Sequence, residues 1–185
     1  MFDNKGKLLD STKFAIFVIL QVFSCSFLRA QDINVKDFVN VYSKEYISGA
    51  PQKIDKSNSR NHPLTKAFYN DGIDSVNIIQ FSSKANISKN TKIRFRIIIY
   101  SFHDSESLKK KLLELNTSNE EFTESIFQKD WDFLTTQKNQ ILRLDAGCLL
   151  SESKWKGIKK KFMTITKSSY TNMECFCGRG CQFYK

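Results

Sequence analysis

The sequence predicts an α+β protein in which helices cover one face of an antiparallel sheet. Alternating apolar residues predict strands in "SVNIIQFSS" and "TKIRFRIIIYSF", and again in "WDFLTTQ" and "QILRLDAGCLL". Each pair of strands is followed by a segment with helical periodicity, first "HDSESLKKKLLELN" and then "SESKWKGIKKKFM". The recurring order strand, strand, helix also raises the hypothesis of a duplicated ββα unit.

Residues 1–30 have the pattern of a secretory signal peptide. Three lysines precede an uncharged, largely apolar run from Phe14 to Phe23, and the small residue Ala30 stands directly before Gln31. This order of a positive segment, an apolar segment and a small residue predicts cleavage after Ala30.

Two alternatives for the N-terminal segment remain open. The uncharged run from Phe14 to Leu28 is shorter than the roughly 20 residues of a spanning helix, which disfavours a retained anchor. Cys25 follows a small residue, so lipoprotein processing at Cys25 is the other alternative. All three interpretations export residues 31–185, either to a periplasm or to the extracellular space.

The cysteines predict two disulfide bonds. The chain has five cysteines, and one lies within residues 1–30. Those that remain are Cys148, Cys175, Cys177 and Cys181. An even number of cysteines in an exported chain is typical of disulfides, with the pairing left open. Four thiolates could instead hold a metal, but the spacing C-x-C-x3-C is not that of a standard zinc site, and C-x-x-C redox spacing is absent.

The exported part is predicted to be a single α+β domain over residues 31–163, followed by a Cys-rich tail over residues 164–185. The tail contains few residues that could be buried, so it needs covalent attachment. A bond from Cys148 to one of the other three cysteines would pin the tail to the domain. A bond between the remaining two would close a small loop.

The helical segments each have an identifiable apolar face. Before the first strand, "NVKDFVNVYSKEY" predicts a helix capped at Asn34, whose apolar face is Val35, Phe38, Val39, Tyr42 and Tyr46. The helix after the second strand is capped near Asp104 or Ser105 and turns Leu108, Leu112 and Leu115 inward. The last helix has Trp155, Ile158 and Phe162 on its apolar stripe.

Two further segments complete the order of elements. Residues 49–66 are polar and contain both prolines, which predicts a long surface loop. Ser118 and Glu121 have capping-box spacing, which predicts a short helix that buries Phe122 and Ile126.

Positive charge is the main indication of function. The chain has a formal charge of +10, and residues 1–30 hold four basic and two acidic side chains, so +8 belongs to the remainder. The predicted ligand contacts are basic residues that alternate along the strands, with one tyrosine beside them: Arg94, Arg96, Arg143 and Tyr100. An anionic surface, an acidic polysaccharide or an acidic protein would suit them. Nucleic acid fits an exported protein less well, and solvated helix and sheet faces would explain the charge without any ligand.

Catalytic and cofactor motifs are scarce in this sequence. It has no P-loop, G-x-G-x-x-G, G-x-S-x-G or H-E-x-x-H, which predicts no catalytic residue, no metal and no cofactor. The S-x-x-K spacing occurs at Ser107–Lys110 and at Ser151–Lys154, among other places. A small exported hydrolase or transferase using Ser151, with residues 49–66 as a lid, is therefore the rival hypothesis. The sequence favours an exported, disulfide-stabilised binding or envelope-associated protein, and it does not separate that class from a secreted inhibitor or effector.

Overall fold

The computed structural model describes residues 33, 35–59, 71–88, 91–117, 130–167 and 173–184. The helices are α1 (Val35–Tyr42), the four-residue turn α2 (Lys56–Ser59), α3 (Ser105–Thr117) and α4 (Glu152–Thr166). The strands are β1 (Tyr46–Ser48), β2 (Gln52–Asp55), β3 (Ile73–Ser88), β4 (Thr91–Phe102), β5 (Asp130–Gln137), β6 (Gln140–Gly147), β7 (Met173–Phe176) and β8 (Gly180–Phe183). The predicted signal peptide, the cap at Asn34 and the capping box at Ser118 and Glu121 lie outside the described residues.

All eight strands form one antiparallel sheet. Their order is β1-β3-β4-β6-β5-β7-β8, and β2 pairs with β3 beside β1. The centre of the sheet is the β4–β6 pair, in which Ile97 lies opposite Leu144 and Ile99 opposite Leu142. Successive side chains of a strand point to opposite faces, so the sheet has two faces that are packed independently.

One face is covered by α1 and α4, as the sequence predicts. Phe162 of α4 stacks on Phe38 of α1 with ring centroids 5.4 Å apart, and it meets Phe133 of β5 edge-on at 5.9 Å. The buried hydroxyl of Tyr42 donates to the Ile158 carbonyl oxygen at 2.7 Å. These contacts fix both helices to the same side of the sheet, and the predicted α+β fold with an antiparallel sheet is confirmed.

The opposite face has a helix of its own, α3. Its buried leucines, Leu108 and Leu115, belong to a cluster whose other members are Ile54, Ile73, Val76, Ile78, Ile98, Tyr100, Phe102, Leu134, Ile141, Met173 and Cys175. The start of α3 is capped as predicted, because the Ser107 N–H donates to Asp104 Oδ1 at 2.7 Å. The sheet is therefore packed on both faces.

The two ββα units repeat in order but differ in arrangement. A twofold axis that relates the antiparallel strands β4 and β6 is perpendicular to the sheet. Such an axis would place α3 and α4 on the same face. Since α3 and α4 pack on opposite faces, the two units are not related by that symmetry.

The C-terminal segment is part of the sheet. β7 pairs with β5 through Leu134↔Met173 and its neighbours, and β8 pairs with β7. The predicted division between a domain and an attached tail therefore does not interrupt the sheet.

Two expectations for the N-terminal half are corrected. Residues 52–59, placed in the predicted loop, form β2 and α2, and β2 pairs with β3 through four residues. Only Ile54 of β2 is buried, so the strand shows no apolar alternation that would mark it in the sequence. Tyr46, placed on the face of the first helix, instead begins β1 and packs against Tyr42 and Phe95.

Candidate functional site

The candidate site is a cleft at the end of the sheet where β4 extends beyond its neighbour. β6 pairs with β4 from Gln140 to Ala146, and Ala146 lies opposite Phe95. β4 begins four residues earlier, at Thr91, and in that part it pairs with β3. The chain leaves β6 at Gly147, and a cleft separates the projecting part of β4 from the residues that follow.

The cleft has a volume of about 280 Å³. Its lining residues are Ile87, Thr91, Lys92, Ile93, Arg94, Gly147, Leu149 and Leu150. The share of liquid volume that one water occupies is about 30 Å³, so the space equals roughly nine water molecules. It is therefore large enough for one bulky side chain or a small ligand group.

The wall of the cleft after β6 is held firmly in place. The Leu150 N–H donates to the Gly147 carbonyl oxygen at 3.1 Å, which closes a turn. The Trp131 indole N–H donates to the Leu150 carbonyl oxygen at 2.9 Å, and Leu150 itself is buried. The adjacent residue Cys148 forms a disulfide with Cys177, in the turn between β7 and β8.

Both apolar and cationic side chains are exposed at the cleft. Leu149 is 81% exposed and Ile87 is 48% exposed. Lys92 and Arg94 are also exposed, and neither forms an ion pair or a side-chain hydrogen bond with any residue in the described part of the chain. The cleft therefore combines apolar walls with two positive charges that no acidic side chain of the described residues neutralises.

A second charged cluster lies buried farther along the same strands. The Arg143 guanidinium donates to both oxygens of Asp132, with distances of 2.9 Å from Nε to Oδ1 and 2.6 Å from Nη2 to Oδ2. Arg96 Nε donates to Asp145 Oδ1 at 2.7 Å, and Arg143 Nη2 lies 3.7 Å from Asp145 Oδ2. In this cluster each guanidinium is neutralised by a carboxylate, so the cluster offers no free positive charge.

The cluster contains more carboxylates than guanidinium groups. Burial raises the pKa of Asp132 to about 7, and the carboxylates of Asp145 and Asp130 act in the same direction, against the effect of Arg143. Burial, together with Asp145, also raises the pKa of Asp130. Burial likewise raises the pKa of the Tyr100 hydroxyl, against the effect of Arg143. The cluster therefore tends to retain a proton near neutral pH.

The four residues that the sequence selects as ligand contacts divide between these two places. Arg94 is exposed at the cleft, whereas Arg96, Arg143 and Tyr100 belong to the buried cluster. The open, basic face expected from the alternation is not formed at Arg143 and Tyr100, because the first is 4% exposed and the second is fully buried. A single sequence does not show that Asp132 and Asp145 would lie against these cations.

Arg94 is the one predicted ligand contact that lines the cleft, and the lining residues that were not predicted include Lys92 and Leu149. The alternation in "TKIRFR" places Lys92 on the same face as Arg94, which is a signal that could have found it. Leu149 has no such signal, since its exposure depends on where β6 ends.

The disulfides follow one of the predicted patterns. Cys148 bonds to Cys177 and pins the C-terminal segment, and Cys175 bonds to Cys181 across β7 and β8. With all four sulfurs oxidised, no thiolate is available as a metal ligand. Among the described residues, no group of three His, Cys, Asp or Glu side chains is placed to hold a metal ion.

The residues of the rival enzyme hypothesis do not form a catalytic arrangement in the described part of the chain. Ser151 precedes α4 and is exposed, and its side chain makes no capping hydrogen bond. Neither its hydroxyl nor the Lys154 amine contacts a described polar side chain, so no nucleophile–base pair is formed there. His103 lies 3.8 Å from Asp74 and 3.5 Å from Asp104 at an exposed position, and His62 lies outside the described residues.

Within the described residues, no helix combines the length and apolar character needed to cross a membrane.

Comparisons with known proteins assign no family. The chain matches no protein-family model, and no curated protein matches it significantly. Among solved structures, the extracellular domain of PknH from Mycobacterium tuberculosis is similar over 74% of this chain and 93% of that domain, with 10% identity and a TM-score of 0.44. A likeness of this size does not indicate a shared activity. The two disulfides fit an exported protein.

Proposed function

We propose that this chain is an exported, disulfide-stabilised binding domain that takes an anionic partner in the cleft between β4 and residues 147–150. One observation carries the proposal: Lys92 and Arg94 are exposed beside apolar walls and have no acidic partner among the described residues. An anionic group placed there would neutralise them, while its apolar part would contact Leu149 and Ile87.

Some other cations of the domain have structural partners. Lys159 of α4 pairs with Glu174 of β7, and Lys161 pairs with Glu45 between α1 and β1. The buried Lys111 pairs with Glu114 at 3.0 Å. Each of these pairs joins neighbouring parts of the fold or neutralises a buried charge, so they explain part of the positive charge without a ligand.

Export is supported by two independent features. Disulfides persist in oxidising compartments and are rare in the cytosol. Residues 1–30 have signal-peptide composition. Mass spectrometry of the protein from its native host, without reducing agent, tests export directly. A start at Gln31 with four hydrogens missing is expected, and free thiols in an unprocessed chain would contradict export.

The binding proposal is tested with three anionic probes: heparin, vesicles containing phosphatidylglycerol, and poly-L-glutamate. At least one probe is expected to bind, with an affinity that falls steeply with salt because exposed charges are screened. The variant Lys92→Ala/Arg94→Ala is expected to bind it about tenfold more weakly, since two ionic contacts of about 0.7 kcal/mol each are lost.

The matched control removes two charges elsewhere. Lys109 and Lys110 of α3 are exposed, and the variant Lys109→Ala/Lys110→Ala has the same net charge as the cleft variant. Unchanged affinity is expected for this control. An equal loss in both variants would show a general charge effect and would contradict a site at the cleft.

A further inference from the structure

Among the described residues, no strand pairs with the projecting part of β4 on the side of the cleft. Its pairing with β6 ends at the position where Phe95 lies opposite Ala146, and β3 is the described strand that pairs with β4 beyond it. Ile93 N–H donates to Ser83 Oγ of β3 at 3.0 Å, so the backbone of Ile93 faces β3. Residues of a strand point their N–H and C=O groups alternately toward opposite neighbours. The N–H and C=O groups of Lys92 therefore face the cleft.

The chain after β6 does not cover this edge. Instead of continuing along β4, it turns back on itself through the hydrogen bond from Leu150 N–H to the Gly147 carbonyl oxygen. The disulfide from Cys148 to Cys177 holds this turn against the far end of the sheet. The space beside the edge is the cleft of about 280 Å³. A neighbouring strand would lie about 4.8 Å from β4, with one of its side chains in this space.

Side chains at the edge alternate in chemistry. Lys92 and Arg94 share one face and are exposed, whereas Ile93 between them points to the other face and is buried, and Leu150 adds an apolar side chain to the lining of the cleft. A strand beside this edge would place its own side chains on the same two faces in alternation. The complementary strand therefore has acidic residues at alternate positions and an apolar residue between them.

We propose that the anionic partner is an extended acidic segment of another protein, which adds as a short strand beside Thr91–Ile93. This inference rests on the proposed function and names its ligand class. Backbone hydrogen bonds to Lys92 align the segment, carboxylates of its alternate residues pair with Lys92 and Arg94, and one apolar side chain fills the cleft. A polysaccharide or a lipid headgroup would contact the two cationic side chains and leave the backbone edge unpaired, so the peptide satisfies more of the site.

The test uses the disulfide-bonded protein and synthetic eight-residue peptides. An acetylated peptide of alternating Glu and Val is expected to bind. A peptide of alternating Lys and Val is expected not to bind, because its charge is repelled. Methylating every second backbone nitrogen of the Glu/Val peptide removes the N–H donors along one edge of its strand. When that edge is the one that faces β4, the methylation is expected to weaken binding about tenfold or more. The matched control carries its methyl groups on the other set of alternate nitrogens, which face away from β4, and it should retain affinity.

Two protein variants give an independent measurement. Lys92→Ala removes the side-chain charge, and Lys92→Pro removes the charge and also the N–H that faces the cleft. Proline is tolerated at an edge position whose N–H makes no hydrogen bond within the sheet, so the sheet is expected to persist in this variant. Circular dichroism checks this. Lys92→Pro is expected to bind the Glu/Val peptide several-fold more weakly than Lys92→Ala.

Three outcomes would overturn the inference. Equal binding of all the N-methylated and unmethylated Glu/Val peptides would show that the backbone edge is not used. No binding of the Glu/Val peptide, with heparin or vesicles bound through Lys92 and Arg94, would leave the proposed function standing and exclude the strand. A dimer in light scattering that Lys92→Pro dissociates would show that a second copy of this chain occupies the edge.

Discussion

Arg143 and Asp132 form a two-point ion pair on the buried face of neighbouring strands, with both charges almost completely removed from solvent. Hydrogen bonds to both carboxylate oxygens fix the relative position of β5 and β6 at this point. Arg143 also lies near Asp145, which Arg96 binds on the other side. The pair therefore joins β5, β6 and β4 through charged side chains beside an apolar cluster.

Removing one partner of this pair is expected to be costly. Arg143→Met would leave Asp132 buried without its counter-ion, at a cost of about 3–5 kcal/mol in the free energy of unfolding. The double variant Arg143→Met/Asp132→Leu removes both charges and is expected to be markedly more stable than the single variant. Urea unfolding of all three proteins measures this. A single variant within 1 kcal/mol of the wild type would contradict a buried ion pair.

The same pair is expected to make stability depend on pH. Asp130, Asp132 and Asp145 outnumber the two guanidinium groups near them, and burial raises the pKa of Asp132 from 3.8 to about 7, so between these values the folded cluster shares a proton that the unfolded chain releases. Its contribution is fully present below the unfolded pKa and is lost as pH rises through about 7. The free energy of unfolding is therefore expected to be larger at pH 5 than at pH 8, by on the order of 1 kcal/mol or more.

The control for this pH dependence is Asp132→Asn, which cannot titrate. It is expected to be less stable at every pH, yet with a smaller difference between pH 5 and pH 8 than the wild type. The quantity to compare is the change in the free energy of unfolding between pH 5 and pH 8, not its absolute value at either pH. An equal difference in both proteins would assign the pH dependence to other groups.

The disulfide between Cys148 and Cys177 is expected to stabilise the domain substantially. The two cysteines are 29 residues apart, and the entropy of closing such a loop in the unfolded chain corresponds to about 3.6 kcal/mol. The variant Cys148→Ser/Cys177→Ser is expected to lose approximately this amount in urea unfolding under non-reducing conditions. Retention of full stability would show that the bond does not constrain the unfolded chain.

Two glycines are expected to respond in opposite ways to alanine. A methyl group at Gly72 would lie 2.2 Å from the Ser107 Cβ, so Gly72→Ala should destabilise the protein by roughly 1–3 kcal/mol through overpacking. A methyl group at Gly157 in α4 meets no atom within 4 Å, and Gly157→Ala should stabilise the helix by about 0.5–1 kcal/mol. Thermal unfolding of both variants checks the signs. A loss of stability in Gly157→Ala would contradict this account of α4.

The strands and helices with strong periodicity could be predicted from the sequence. β4 and α4 have enough apolar residues at regular spacing to define their buried faces, and Trp155, Ile158 and Phe162 are buried as expected. β2 could not be found, because it is four residues long and depends on pairing with β3. The position of α3 on the second face is equally invisible in the sequence, since both faces of the sheet are apolar.

The candidate site was predictable only in part. Arg94 follows from strand alternation and lies at the cleft, but alternation does not reveal which cations face a carboxylate. Arg143 meets Asp132 because β5 and β6 pair in one particular register. The cleft itself exists because β6 ends at Gly147 while β4 continues. The relative length of two strands that are far apart in the chain does not follow from local sequence patterns.

Binding at the cleft is tested most directly by amide hydrogen exchange with and without whichever anionic probe binds. Bound probe is expected to slow exchange at residues 91–94 and 147–150, and this protection is expected to be lost in Lys92→Ala/Arg94→Ala. Protection confined to α3 around Lys109 and Lys110, with residues 91–94 unchanged, would contradict binding at the cleft.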